Sequence, residues 1–338
     1  MTGEVITGEI MTGEIATGEI THSLVIPVYR NEAFLPELLN AVAGIAAHVT
    51  GRMEVVFVID GSPDGCEEWL LTHLSQYAVP AQLVALSRNF GSFTAIRVGL
   101  EQAHGECIAV MAADLQEPPE LVTEFFKVLG SGQHDVAVGT RASRDDPLAG
   151  RAASGLFWRI YRTLVQPEMP VAGVDMFAVT RKARDALLRL EESHSSLVAQ
   201  LLWIGFDRIE VPYARRARAH GESGWTLRKK ARYLFDSLFS FTDIPITILT
   251  VIGFAGTFAF LGLGAVLLGL RLAGVIEVEG YTAIMVAILF SASLILLGLG
   301  IVGNYVWRTY ENTKQRPLGI IRAQRAFTGA TDARDERR

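Results

Sequence analysis

MAADLQEPPE, residues Met111 to Glu120, closes an apolar run that begins at Cys107. A short continuous apolar run is how a strand buried on both faces of a parallel sheet reads. Pro118 and Pro119 then end regular structure or open a helix. The carboxylate of Asp114 and the amide of Gln116 are therefore expected just past the C-terminal end of a central strand, where open α/β sheets hold ligands. Two residues apart, they can offer hard oxygens to one divalent cation. An ordinary strand-to-helix turn with an aspartate cap gives the same local pattern.

Working outward, the same alternation repeats. SLVIPVY (Ser23 to Tyr29), MEVVFVID (Met53 to Asp60), AQLVALS (Ala81 to Ser87), Glu106 to Ala113 and DVAVGT (Asp135 to Thr140) read as strands. Pro36–Val49, Cys66–Tyr77, Phe93–His104 and Pro119–Gly130 read as the helices between them. Strands alternating with helices of this length predict an α/β fold, with a mostly parallel sheet covered on both faces. Polar groups collect at the strand ends: Tyr29, Asn31, Asp60, Arg88, Asn89, Asp114, Gln116 and Arg141. Gly139 reads as a turn glycine. No GxGxxG follows the first strand and there is no GxxxxGK[ST], which argues against a dinucleotide oxidoreductase and a P-loop NTPase.

The remaining chain changes character. Residues 1–22 repeat TGEV or TGEI four times with single-residue spacers, too short and acidic a unit to bury a core, and are expected to be a flexible tail. A basic, aromatic segment around Arg151 to Val165 and another over 225–243 have the composition of helices lying on a membrane surface. Ile244 to Leu270 and Tyr281 to Trp307 carry no charge. Each exceeds the roughly 20 residues that cross about 30 Å of hydrocarbon, so 244–307 is expected to hold two transmembrane helices. Lysines and arginines crowd the outer flanks, while Arg271, Glu277 and Glu279 lie between the spans. The positive-inside rule then places the α/β domain, 23–224, and the tail, 308–338, in the cytoplasm. Tyr305 and Trp307 suit an interfacial aromatic belt. The N-terminus lacks the pattern of a cleavable signal peptide.

The totals narrow the class. The chain has 338 residues, half of them hydrophobic, and a net charge of −5. No basic field points to nucleic acid as a partner. Cys66 and Cys107 are the only cysteines and have no CxxC spacing, so a cysteine metal cluster or disulfide framework is not expected.

Taken in order, IPVY (Ile26–Tyr29), DGSPDG (Asp60–Gly65), LSRNFG (Leu86–Gly91), ADLQEPPE (Ala113–Glu120), GTR (Gly139–Arg141), WIGF (Trp203–Phe206) and RARAHGESGWTLRKK (Arg216–Lys230) make a specific set. The chain resembles the family 2 glycosyltransferases of GT-A fold. More narrowly it resembles the polyisoprenyl-phosphate glycosyltransferases, the group of dolichol-phosphate mannose synthase and related bacterial glucosyltransferases. The resemblance runs from about Ser23 to Pro317. It implies transfer of a sugar from a nucleotide sugar to a polyprenyl phosphate, with inversion and Mg²⁺ or Mn²⁺ as cofactor. Among bacterial relatives it implies a UDP-hexose, undecaprenyl phosphate, and an inner-membrane protein with its catalytic domain in the cytoplasm. A homo-tetramer is also implied.

By position, the resemblance puts Pro27, Tyr29 and Asp60 at the base and ribose, with Asn31 and Arg88 beside them. Asp114 and Gln116 would hold the metal, and Arg141 and Arg151 the acceptor phosphate. Asp175 falls at the proposed catalytic carboxylate, and Arg218, Ser223 and Lys229 in the segment that closes over the diphosphate. Three positions depart from the pattern: Ala112 replaces the first acid of DADLQ, Ile59 the first acid of VDDGS, and Phe177 an arginine. Two rival readings are a processive polysaccharide synthase, which would carry a QxxRW segment not found here, and a catalytically degenerate membrane scaffold.

Overall fold

The computed structural model describes residues 20–141, 159, 161–163, 165–170, 173–192, 195–214, 227–242, 244–273 and 280–329. Residues 1–19 of the TGEI-repeat segment, Arg151, Arg218, Ser223, Glu277, Glu279 and residues 330–338 lie outside them, while residues 20–22, expected in the flexible tail, open a strand. The chain divides into two compact units. One holds residues 1–191, 196–226 and 317–338, and the other 192–195 and 227–316.

In the first unit the strands are β1 (Ile20–Val28), β2 (Arg52–Ile59), β3 (Ala81–Leu86), β4 (Cys107–Val110), β5 (Val136–Arg141), β6 (Phe177–Thr180), β7 (Arg208–Tyr213) and β8 (Ile321–Phe327). They form one sheet in the order β7-β5-β6-β4-β1-β2-β3-β8. The pairs β1–β2, β1–β4, β2–β3 and β5–β7 are parallel, while β4–β6, β5–β6 and β3–β8 are antiparallel. The α/β sheet with a parallel centre expected from the sequence is thus present, and its first five strands lie close to their predicted spans.

The central strands are buried on both faces, with successive side chains alternating between them. Leu24, Ile26 and Val28 of β1, with Val55, Phe57 and Ile59 of β2, pack into one layer. That layer includes residues of α1 (Leu35–His48), α2 (Cys66–Leu74) and α4 (Glu120–Gly130). Val25, Val56, Val58 and Val84 face the other layer, with α3 (Ser92–Gln102), α5 (Arg181–Leu188) and α6 (Leu197–Trp203). Ile59 and Phe177 belong to these cores. The acid and the arginine of the family pattern are therefore replaced by packing residues.

Strand direction sets where the site can be. The C-terminal ends of β1 to β5 and β7 share one edge, and β6, running the other way, begins there. At the opposite edge, the fully buried Glu54 accepts hydrogen bonds from Ser23 Oγ (2.7 Å), the His104 backbone N–H (2.7 Å) and Gln82 Nε2 (3.0 Å). Gln324 of β8 extends this network, donating to Gln82 Oε1 (3.2 Å) and Gln102 Oε1 (2.8 Å). Within residues 308–338, expected as a tail, 308–313 end a helix and 321–327 form an edge strand. The ladder from β8 to β3 and these amide contacts are long-range, so the polar composition of IRAQRAF conceals them.

The second unit contains α7 (Leu227–Phe241), α8 (Ile244–Leu272) and α9 (Tyr281–Thr313). Lys229 falls in the first turn of α7. Pro245, with no N–H to give, opens α8, and Leu234–Phe241 meets Ile244–Gly256 at a 74° bend. Phe290–Thr313 is long and apolar enough to cross a membrane by itself. Large apolar side chains on both long helices are exposed, including Phe258 and Leu296 at 69% each. Arg308 of α9 binds Asp236 Oδ1 (2.8 Å) and Ser240 Oγ (3.1 Å) of α7. Tyr305 packs edge-on against Phe239 (5.4 Å). Tyr310 is 56% exposed, with the Lys314 ammonium 4.3 Å from its ring centroid, and Trp307 is 55% exposed.

Glu54→Ala would leave the Ser23, Gln82 and His104 donors without their acceptor. We expect a loss of about 3 kcal/mol, read as a lower unfolding midpoint; an unchanged midpoint would contradict the structural role given to this network.

Candidate active site

The edge is organised by Asp60, at the end of β2 and 2% exposed. Its Oδ1 accepts from the Phe90 N–H (2.7 Å) and its Oδ2 from the Gly91 N–H (2.9 Å). Burial raises the carboxyl pKa, against the opposing pull of those two amides and of Arg88. The next residue, Gly61, has φ +57°, and a Cβ there would lie 2.3 Å from the Arg88 carbonyl carbon. Only glycine allows the β2 and β3 end loops to approach this closely. Asp60 is thus the post that fixes LSRNFG, and its carboxylate is occupied by the chain itself.

The β1 and β2 ends are joined in the same way. Tyr29 N–H donates to Asn31 Oδ1 (3.1 Å), Arg30 N–H to Ser62 Oγ (2.7 Å), and Ser62 Oγ to Asp64 Oδ1 (2.5 Å). Arg30 takes φ +57°, a left-handed conformation uncommon outside glycine. Burial works to raise the Asp64 pKa, but its hydrogen bonds with Ser62, Cys66 and Glu32 outweigh burial and lower it. Burial, then Asp64, pushes the Cys66 thiol up to about 12, leaving it inert. Pro27 pairs with Val58 beyond the last β1–β4 pair, Val25↔Val110, so it meets no β4 ladder. The Tyr29 ring is 39% exposed, and the exposed Arg88 guanidinium lies 4.0 Å from the Phe90 ring centroid. These are flat surfaces on which a base could stack.

Past β4, Leu115 adopts φ +52°. This turn folds Gln116 back, and its Nε2 donates to Asp114 Oδ2 (2.7 Å). The two side chains thereby meet, the Gln116 amide nitrogen on the Asp114 carboxylate. Among the described residues no group of three or more His, Cys, Asp or Glu could hold a metal. If Asp114 and Gln116 hold a divalent cation, most of its ligands come from outside these two side chains, since such cations take about six or more oxygens. Ala112 accounts for the missing acid.

The third group lies across β5, β6 and β7. Arg141, at the end of β5, grips Asp175 through Nε to Oδ2 (2.5 Å) and Nη2 to Oδ1 (2.9 Å). Tyr213, at the end of β7, donates its O–H to Asp175 Oδ2 (2.8 Å). Burial most disfavours the Arg141 charge, yet Asp175 and then Tyr213 outweigh it and raise its pKa. Burial, then Asp175 and Glu117, also raise the Tyr213 phenol, which remains protonated. Arg141 and Asp175, given separate tasks by the sequence reading, are direct partners. Tyr213 and the buried Glu117 were missed. Their signal is only a tyrosine ending the alternating run RIEVPY and a second acid after DLQ. Gly139 is no turn glycine: it lies inside β5, where a Cβ would stand 3.2 Å from Tyr213 Cε1 and 3.1 Å from Leu121 Cδ2. Its missing side chain makes room for the tyrosine ring.

Residues 23–188 match the glycosyl transferase family 2 domain. The chain is 33% identical over 307 residues to an undecaprenyl-phosphate 4-deoxy-4-formamido-L-arabinose transferase of Pseudomonas aeruginosa, covering 88% of each chain. It is 30% identical over 303 residues to the uncharacterized glycosyltransferase YkcC of Bacillus subtilis, covering 89% of this chain and 93% of that one. Among solved structures, glucosyl-3-phosphoglycerate synthase from Mycobacterium tuberculosis, in complex with Mn²⁺, UDP and phosphoglyceric acid, aligns at 16% identity. Its TM-score is 0.47, with 70% of this chain and 78% of that chain covered.

Gly61→Ala forces a side chain against the Arg88–Asn89 backbone at a positive φ. It should cost about 1–3 kcal/mol and loosen the LSRNFG loop, read as faster proteolysis or amide exchange there; parental protection would contradict the close approach.

Proposed function

We propose that this chain, which belongs to glycosyl transferase family 2, carries a sugar from a nucleotide sugar to a polyprenyl phosphate, inverting the anomeric carbon. A UDP-hexose is the favoured donor and undecaprenyl phosphate the favoured acceptor. The work takes place at the cytoplasmic face of the inner membrane. The observation that carries this reading is the presence, in a glycosyltransferase, of long helices with large exposed apolar side chains. Such a surface suits lipid, and a lipid-borne acceptor suits an enzyme held there. The similarity to undecaprenyl-phosphate transferases along most of the chain supports the same acceptor.

The chemistry asks little of a base. A phosphate monoester has a second pKa near 6 and is already an anion at neutral pH. One of its oxygens attacks the anomeric carbon as the bond from that carbon to the nucleotide diphosphate breaks, and the diphosphate leaves with the electron pair. Positioning and charge compensation then dominate the barrier. Tyr29 and Arg88 offer stacking surfaces for the base and ribose near Pro27 and Asn31, on loops fixed by Asp60. Arg141, with Arg151, would face the acceptor phosphate; with Nε and Nη2 on Asp175, the Arg141 guanidinium still has further N–H groups for phosphate oxygens. Arg218, Ser223 and Lys229 would close over the diphosphate. Asp114 and Gln116 would hold Mg²⁺ or Mn²⁺, which supplies positive charge against the departing diphosphate. With two protein ligands, the cation is expected to arrive with the nucleotide. The 74° bend between α7 and α8 suits one helix lying along the bilayer surface while α8 joins α9 in crossing it.

Asp114→Ala should lower transfer at least 100-fold while leaving the unfolding midpoint within a few degrees; near-normal turnover would refute the metal role. In calorimetric titration, Mn²⁺ should bind the parent weakly alone and at least 10-fold more tightly with UDP present. Equal affinity without UDP would contradict the shared coordination.

A further inference from the structure

Tyr213 has no place in the sugar-transfer scheme above, although its O–H reaches the same carboxylate as Arg141. We propose that Tyr213 is a positioning residue: it fixes Asp175, and Asp175 in turn fixes the plane of the Arg141 guanidinium toward the acceptor phosphate. The proposal rests on the transfer reading and deepens it.

The topology brings the three residues together from distant parts of the chain. β5 and β7 are parallel neighbours whose last pair is Arg141↔Tyr213. β6 is antiparallel to β5 and starts at Phe177, so Asp175 enters at the same edge. A carboxylate oxygen accepts about two hydrogen bonds. Oδ2 is filled by Arg141 Nε and the Tyr213 hydroxyl, whereas Oδ1 receives Arg141 Nη2. The carboxylate therefore cannot turn about its own axis without losing a donor. The guanidinium, gripped at two nitrogens, cannot turn without the carboxylate. The charged groups around the cluster are Arg141, bound to Asp175, and Glu117, whose charge acts on the Tyr213 phenol. An aspartate held this way serves direction better than proton transfer, and the anionic acceptor needs no base.

The tyrosine is itself held. It is 5% exposed, and its ring fills the space left by Gly139. Its raised pKa keeps the hydroxyl a donor at working pH. A phenylalanine would keep the packing and remove only the hydroxyl.

The test uses the full chain in detergent with UDP-glucose, Mn²⁺ and undecaprenyl phosphate. Tyr213→Phe should retain an unfolding midpoint within a few degrees of the parent, with the KM for UDP-glucose unchanged. Its KM for undecaprenyl phosphate should rise, and kcat/KM for the lipid should fall about 10-fold or more. Gly139→Ala, which pushes the ring while keeping its hydroxyl, should shift the same parameter in the same direction. Parental lipid KM in both variants would overturn the proposal, as would a lower midpoint with unchanged lipid KM, the mark of a purely structural tyrosine. If the parent transfers no sugar, the transfer reading fails and the contact is tested apart from it. A thermal double-mutant cycle of Tyr213→Phe with Asp175→Asn should be non-additive by several degrees, and additivity would overturn the clamp.

Discussion

A parallel sheet covered on both faces leaves its polar residues nowhere to go but its two edges. In this chain that constraint accounts for nearly every functional feature. The interiors of β1 to β4 are apolar on both sides, so their chemistry collects where they end. The exceptions obey the same rule. Glu54, Ser23 and Gln82 lie toward the starts of their strands and satisfy one another there. One edge is thus closed by internal hydrogen bonding, and the other carries Tyr29, Arg88, Asp114, Asp175 and Arg141, with the buried Gln116 on Asp114.

The ligand edge has two parts with different physics. Around β1, β2 and β3 the side chains hold backbone: Asp60 on the amides of Phe90 and Gly91, Asn31 on Tyr29, Ser62 on Arg30. Here the carboxylates build rigid loops, and the surfaces facing outward are aromatic and cationic. Around β4, β5, β6 and β7 the side chains hold one another: Gln116 on Asp114, and Arg141 with Tyr213 on Asp175. These pairs carry charge at the edge, where phosphate and cation chemistry would need it. The departures from the family pattern follow the same division. Ile59 and Phe177 have become core, whereas Ala112, two residues before Asp114, brings no carboxylate to that strand end.

The local signals were legible in the sequence, and the long-range ones were not. Alternating apolar runs and helices gave β1 to β5 and the helices between the first five strands, because burial on both faces writes itself into consecutive residues. The pairing of Asp114 with Gln116 was readable because two residues and a turn decide it. β6, β7 and β8 escaped notice: β6 is only four residues long, and β7 and β8 are strands at the two ends of the sheet, with charged residues among their side chains and partners far away in sequence. The Arg141–Asp175–Tyr213 group needed the register between β5 and β7, and no local pattern contains that. Gly139 shows the limit best. Its local context suggests a turn, and only the tyrosine ring beside it explains the missing side chain.

The second unit gives the chemistry its setting. α8 and α9 expose side chains that water would penalise, and Trp307, Tyr310 and Lys314 gather near the end of α9, as residues at a membrane interface do. A glycosyltransferase carrying such helices is suited to an acceptor that never leaves the bilayer. The most direct measurement incubates the purified chain with Mn²⁺, undecaprenyl phosphate and each of a panel of radiolabelled nucleotide sugars, then follows label into the organic phase. The account predicts that one sugar enters the lipid in a one-to-one ratio with the nucleotide diphosphate released. Label appearing only in water-soluble product, or lipid that stays unlabelled with every donor, would contradict it.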